Sequence, residues 1–176
     1  MRDIAYRVQG FLTVRRDSLR VPLRGSLTVH ENPDPALFTG DLVLGQSSIS
    51  RTVLGARLFS ATVQIEAGSP ITVRVDEEGR LFATVRVDAV MTAVRAAGHT
   101  LLSGGSCRTA TQAVVPLCSR PGFDLARGGR LAGRYDRPPF TGCGWLTPLV
   151  NLLVAGSGNA VVIDLIPACP AASPAQ

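Results

Sequence analysis

No lysine occurs among the 176 residues of this chain; all 18 basic side chains are arginine. They are scattered apart from the pair Arg15 and Arg16, so a formal net charge of +5 is not gathered into a patch. Nucleic-acid binding calls for a basic cluster together with a recognisable motif or stacking aromatics. Aromatic residues make up only 5% of the chain, with a single tryptophan. These two shortages argue against a nucleic-acid partner. They also require a core built mostly from Val, Leu, Ile and Ala. The positive charge still permits peripheral contact with an anionic envelope surface.

Motifs that carry chemistry are missing as well. There is no C-x-x-C, and the four cysteines (Cys107, Cys118, Cys143, Cys169) have long, irregular spacings that do not suit zinc. No metal or cofactor is expected. The sequence holds no G-x-S-x-G elbow, no H-E-x-x-H, no phosphate-binding G-x-x-x-x-G-K and no G-x-G-x-x-G. His30 falls on the polar face of an alternating segment and His99 in a Gly-His-Thr turn, so both read as solvated. Asp76, Glu77 and Glu78 read as a hairpin tip, not as a calcium loop. No catalytic residue is assigned. The opening "MRDIAYRVQG" already alternates like a strand and is not a signal peptide. An even cysteine number without metal spacing fits disulfides and an oxidising compartment. The expectation is a secreted or cell-envelope protein whose signal peptide has been removed.

What is present is period-two alternation. In "LRVPLRGSLTVH", Leu19, Val21, Leu23, Gly25, Leu27 and Val29 share one face, while Arg20, Pro22, Arg24, Ser26, Thr28 and His30 share the other. That is the pattern of a half-buried strand, with Pro22 pointing to an edge position or a bulge. Ile4, Tyr6, Val8, Leu12 and Val14 alternate in the same way, with "RRDS" as the turn between the two segments. "HENPDP" reads as a loop. "ALFTGDLVLG", "RLFSATVQIEAG" and "ITVRV" read as strands, and "DEEG" as a hairpin turn that uses Gly79. "RLFATVRVDAVMTAVRAA" keeps period two from Leu81 to Ala93 and predicts one long, bent strand. "GHTLLSGGSC" reads as turn and loop. "TATQAVVPLC", "RLAGRYD" and "NAVVIDLIP" read as the remaining strands, with "SRPGFDLARGG" as a loop. The fold class is all-β: an antiparallel β-barrel or β-sandwich of nine to ten strands with one short helix late in the chain. Residues 1–169 form a single domain on this reading, followed by a loose Pro/Ala-rich tail at 170–176.

The helix comes from "RPPFTGCGWLTPLVNLLVAGSGN". Its dense apolar part, Trp145 to Ala155, is too short to span a bilayer, which needs about 20 residues. Thr147 reads as N-cap, Pro148 as the first helical residue and Gly156 as the stop, predicting a helix over 148–155. A helix apolar nearly all round is normally buried. It would either plug a barrel end or roof a hydrophobic cavity, and Trp145, Leu149, Val150, Leu152 and Leu153 would then contact a ligand. A membrane-touching helix is the third option, and the lack of a basic face counts against it. Cys143 lies in a Gly-Cys-Gly turn just before it, where a disulfide would tether the helix start to the sheet. Four cysteines allow three connectivities and spacing does not choose among them. The working pairing is Cys107–Cys143 with Cys118–Cys169. A bridge from 107 to 143 would contribute about 4 kcal/mol on the chain-entropy account.

"SGGSCRTAT" followed by "GRLAGRYDRPPFTGCGWLTPLVNLLVAGSGNAVVIDLIPAC" resembles a set of β-rich secreted proteins of mycobacteria and related actinobacteria. The shared pattern is a Cys-Arg-Thr strand, a Pro-Pro-Phe-Thr-Gly-Cys-Gly turn, a short apolar helix, a glycine-rich stop and a last strand. It covers about the final 70 residues. The resemblance implies export to the cell envelope and a Cys107–Cys143 bridge; it implies no activity. The function expected is binding of a hydrophobic or amphipathic, lipid-like molecule in a barrel, with arginines near the rim meeting an anionic head group. Two alternatives stand beside it. One is a structural or protein-interaction module with a packed core. The other is a barrel isomerase or cyclase acting on a hydrophobic substrate through a buried Asp164 or Tyr6.

Overall fold

Alternation of apolar and polar residues along successive strands yields a closed β-barrel in the computed structural model, which describes residues 3–14, 19–32, 37–53 and 56–168. The strands are β1 (Asp3–Val14), β2 (Leu19–Glu31), β3 (Leu37–Leu44), β4 (Ser47–Val53), β5 (Ala56–Val75), β6 (Leu81–Ala96), β7 (His99–Thr109), β8 (Ala113–Cys118), β9 (Gly129–Arg137), β10 (Phe140–Thr141) and β11 (Gly156–Pro167). Eight of them close a ring of antiparallel pairs in the order β6-β8-β9-β11-β1-β2-β3-β5, with β5 returning to β6. The architecture is therefore a barrel, not a sandwich. The three remaining strands extend it: β4 pairs with the first half of β5, β7 with the second half of β6, and β10 with β7.

The alternating faces expected for β1 and β2 hold in register, from Asp3 opposite His30 to Val14 opposite Leu19. Tyr6, Val8, Leu12, Val21, Leu23, Leu27 and Val29 are buried inside the ring. Closing eight strands needs strong coiling, and glycine permits it where backbones cross closely. A Cβ at inward-facing Gly25 would overlap the Val43 carbonyl oxygen, and one at Gly133 would overlap that of Pro116. Pro22 tolerates its strand because β3 pairs with β2 only from Gly25 onward. Past that point Ser47 Oγ donates to the free Pro22 carbonyl.

The chain forms more strands than expected. β4 lies in a segment given no element from sequence. The two strands expected over 57–75 are one continuous β5. "HTLLSGGSCRT" is a strand where a turn and loop were expected, because backbone pairing with β6 does not depend on side-chain alternation. In β6 the period-two pattern breaks at Thr92: Thr62 faces Ala93 while Val63 faces Met91. This bulge turns Val94 inward in place of Ala93 and bends the strand as it leaves the barrel wall for β7. The β5–β6 hairpin is as predicted. Gly79 has φ of 69°, and the Asp76 carboxylate accepts from the backbone N–H of Glu78 and Arg80 at 3.0 and 2.8 Å. The expected turn at 15–18, the second half of the loop expected at 30–35 and the tail at 170–176 lie outside the described residues, while His30 and Glu31 belong to β2 and not to a loop.

A 3-10 turn, Gly144–Leu146, leads into helix α1 (Thr147–Val154). Thr147 is not the N-cap; that position belongs to Leu146, and Thr147 Oγ1 donates to the Gly144 carbonyl at 2.8 Å. The helix contributes no residue to the lining of the barrel interior. It packs on β10, outside the ring. Asn151, its one polar interior residue, accepts from the Phe140 N–H at 2.6 Å and donates to the Phe140 carbonyl at 3.0 Å. Leu146 and Val150 are buried, while Trp145, Leu149 and Leu152 are exposed. Cys107 on β7 is bridged to Cys143, fixing the start of this segment to the sheet. Cys118 is a free thiol on the outer face of β8, so it does not form the second bridge expected. Its expected partner, Cys169, lies outside the described residues. Among the described residues, no helix is long and apolar enough to cross a membrane.

Candidate functional site

The barrel interior is a stack of side chains from all eight ring strands. An eight-stranded ring is just wide enough for its own side chains to fill, or to leave room for one small ligand. The interior here is filled unequally at its two ends. At the end where β1 begins, only about 20 Å³ remains between Tyr6, Leu27, Val29, Ile71, Leu125 and Leu131. Tyr6 is fully buried there, and its hydroxyl donates to the Leu125 carbonyl. Burial, with a smaller contribution from the Asp124 charge, pushes the Tyr6 phenol up to about 12. The loop carrying Leu125 docks on the β5–β6 turn, with the Phe123 N–H donating to the Gly79 carbonyl at 2.8 Å.

At the other end, where β9 finishes, a cavity of about 70 Å³ is left. Its walls are almost wholly apolar: Val8 and Leu12, Val21 and Leu23, Val63 and Ile65, Val87 and Ala89, Ala113 and Val115, Val161 and Ile163. Only Thr109, Tyr135 and Arg137 among its lining residues carry polar side-chain atoms. Arg137 Nη2 donates to the Tyr135 hydroxyl at 2.7 Å. Thr109 Oγ1 lies 3.3 Å from the Asp88 carboxylate and accepts from the Ala89 N–H at 3.2 Å. Asp88 also accepts from Gln112 at 3.1 Å.

The residues singled out from sequence fall elsewhere. Trp145, Leu149, Val150 and Leu152 do not line the cavity; the 3-10 turn and the helix that bear them lie beyond the ring strands, the helix against β10. The side chain of Leu153 lies outside the described set. Asp164 is not inside the barrel: it alternates with buried Ile163 and Leu165 and faces out. There it accepts two hydrogen bonds from Arg130, at 2.8 and 3.0 Å, which hold its carboxyl below the usual range. Tyr6 is inside, but its proton is already engaged by Leu125. Neither is poised for acid–base chemistry in the larger cavity. The residues missed, Tyr135 and Arg137, follow from "GRLAGRYDR". Leu131, Gly133, Tyr135 and Arg137 share its inward face, and an arginine on an apolar face was the signal.

The fold and the site together define a closed eight-stranded antiparallel barrel with a small apolar cavity at one end. No family model, no curated protein and no solved structure matches the chain.

Proposed function

We propose that this protein binds a slender hydrophobic or amphipathic molecule inside the Arg137 end of its barrel, and does so in an oxidising compartment such as the cell envelope. The observation that carries the binding reading is the asymmetry of the interior: about 70 Å³ of apolar space at one end against about 20 Å³ at the other. The space falls below the roughly 300–1,000 Å³ of pockets that enclose drug-sized ligands, so the ligand is narrower than a whole lipid. A short alkyl chain, or the end of a longer one, has the right cross-section. The Cys107–Cys143 bridge supports the compartment. Straight-chain 1-alkanols of increasing length test the reading by thermal shift, since a ligand of the folded state raises the midpoint. A length-dependent rise that disappears in Ala113→Leu is expected; no rise at any length refutes it.

A second reading, an interaction module of the envelope, is favoured by Trp145, which is 75% exposed beside exposed Leu149 and Leu152. Exposed apolar clusters of this kind mark contact surfaces. Self-association in sedimentation that is lost in Trp145→Ser supports it; a monomer unaffected by that change counts against it.

A further inference from the structure

We propose that Arg137 and Tyr135 form a carboxylate-recognition pair at the head of the apolar cavity, so that the ligand class is a straight-chain monocarboxylic acid. This rests on the reading of the cavity as a binding site and adds the chemistry of the head group.

The pair occupies the inward face of β9, where Leu131, Gly133, Tyr135 and Arg137 alternate with outward Arg130, Ala132, Arg134 and Asp136. Arg137 is the only described arginine among the residues lining the cavity, and it is half-buried. Elsewhere on the protein, Arg80, Arg108, Arg127 and Arg130 meet Glu78, Glu66, Asp124 and Asp164. Arg137 has no such partner: no carboxylate of the described residues lies within ion-pairing distance of it. Its one side-chain hydrogen-bond partner among the described residues is the Tyr135 hydroxyl.

Two other carboxylates, Asp136 next in the chain and Asp88 beside the cavity-lining Thr109, are engaged elsewhere. Asp136 points to the opposite face and accepts from the Gly158 N–H at 2.9 Å. Asp88 is engaged by Thr109 and Gln112. Tyr135 adds to the imbalance. It is buried, and its oxygen accepts from Arg137, while its own proton reaches no acceptor among the described residues. A phenol supplies one donor and a guanidinium five. The site therefore presents donors and a positive charge without a matching acceptor, against walls of carbon.

The complement of that arrangement is an anion with an alkyl tail. A carboxylate takes two parallel hydrogen bonds from a guanidinium fork and a third from a phenol. One cation balances one negative charge, which favours a carboxylate over a doubly charged phosphate. The tail would run along Val87, Ala113, Val161 and Leu12 toward the barrel centre.

Titration calorimetry of the full chain decides the matter. The probes are acetate, the carboxylates from butanoate to decanoate, and 1-alkanols of matching length. The proteins are the wild type, Arg137→Gln and Tyr135→Phe, each checked for folding by its thermal transition. In the wild type, each medium-length acid is expected to bind about tenfold more tightly than its alcohol, the increment of a charge-assisted pair. Arg137→Gln should abolish that preference by weakening each acid to about the level of its matching alcohol in the same variant. Tyr135→Phe should remove part of it. Acetate should bind far more weakly than hexanoate. Equal affinity for acids and alcohols, or a preference that survives Arg137→Gln, overturns the head-group assignment while the cavity reading stands. Acetate binding as well as the longer acids would make this a surface anion site and also overturns it. If neither series binds, the cavity reading fails and the assignment falls with it.

Discussion

Each end of the barrel holds a buried tyrosine on its inward face, and the two do opposite things. Tyr6 donates its proton to the Leu125 carbonyl, and the loop bearing Leu125 closes over it. Tyr135 instead accepts from Arg137, which leaves its proton facing no protein acceptor among the described residues. The first arrangement completes a seal, with little space left behind it. The second leaves donors at the edge of an apolar cavity. The difference lies in the partner: a carbonyl satisfies a phenol, whereas a cation takes its lone pair and adds a charge that needs balancing. The ends also differ in how they are fastened. Backbone hydrogen bonds from Gly122 and Phe123 to Glu78 and Gly79 hold the Tyr6 end. The segment that follows Arg137 is held covalently, through Cys107–Cys143.

Removing that covalent fastening should have the largest effect. Paired Cys107→Ala and Cys143→Ala substitutions, with a sequence separation of 36, are expected to cost about 4 kcal/mol on the chain-entropy account. For a chain of this size that lowers the thermal midpoint by roughly 10 °C. Calorimetry of the double variant against the wild type measures it; an unchanged midpoint would show that the Arg137 end is held by packing alone. The next contrast adds volume at each end. Ala83 is buried at the Tyr6 end and Ala113 beside the larger cavity. Ala83→Leu overfills a packed region and is expected to cost about 1–3 kcal/mol. Ala113→Leu has space to enter and should cost less than about 1 kcal/mol. Denaturant titration of both variants tests this, and equal losses would mean that the two ends are packed alike.

The same contrast shows what alternation could and could not reveal. Leu19 to Val29 declares its inward face because every second residue is apolar, and the barrel wall was legible from such runs. The strand at 99–109 was not, because Ser103, Gly104, Gly105 and Ser106 erase the pattern while leaving the backbone free to pair. Residues 47–53 were silent for a similar reason: Ile49 is flanked by serines. The helix was legible as a helix, but its placement was not. A nearly uniform apolar circumference does not say which side is covered, and here Leu146 and Val150 face the protein while Trp145 and Leu149 do not. The site was legible only in part. Tyr135 and Arg137 could be placed on one face of a strand, but that this face met a cavity depends on closure by strands far apart in sequence.

Removing each phenol oxygen separates the tyrosines more finely. Tyr6→Phe strands the part-buried Leu125 carbonyl and should cost roughly 1–2 kcal/mol. Tyr135→Phe removes an acceptor from a half-buried arginine that can turn to water, and should cost less than about 1 kcal/mol. Equal losses in denaturant titrations would undo the distinction between a seal and an open donor.

The smallest expected effect lies on the outer rim of the Tyr6 end, where β1 to β3 meet. His30, partly exposed, lies 2.9 Å from the exposed Asp3 carboxylate and 3.2 Å from the exposed carboxylate of Asp41. Hydrogen bonds to Asp3 and then to Asp41 raise the imidazole above its ordinary value. A group whose folded value is raised stabilises the fold fully below its unfolded value, near 6.5, and loses that contribution as pH rises through the folded value. Stability should therefore ease slightly on going from mildly acidic to mildly alkaline conditions, and the easing should shrink at high salt because the carboxylates are exposed. Titration of the His30 ring signals by NMR should give a midpoint above 6.5 that falls in Asp3→Asn. An unshifted midpoint in the wild type would show that these carboxylates do not hold the ring, leaving the Tyr6 end fastened only by its loop and its interior.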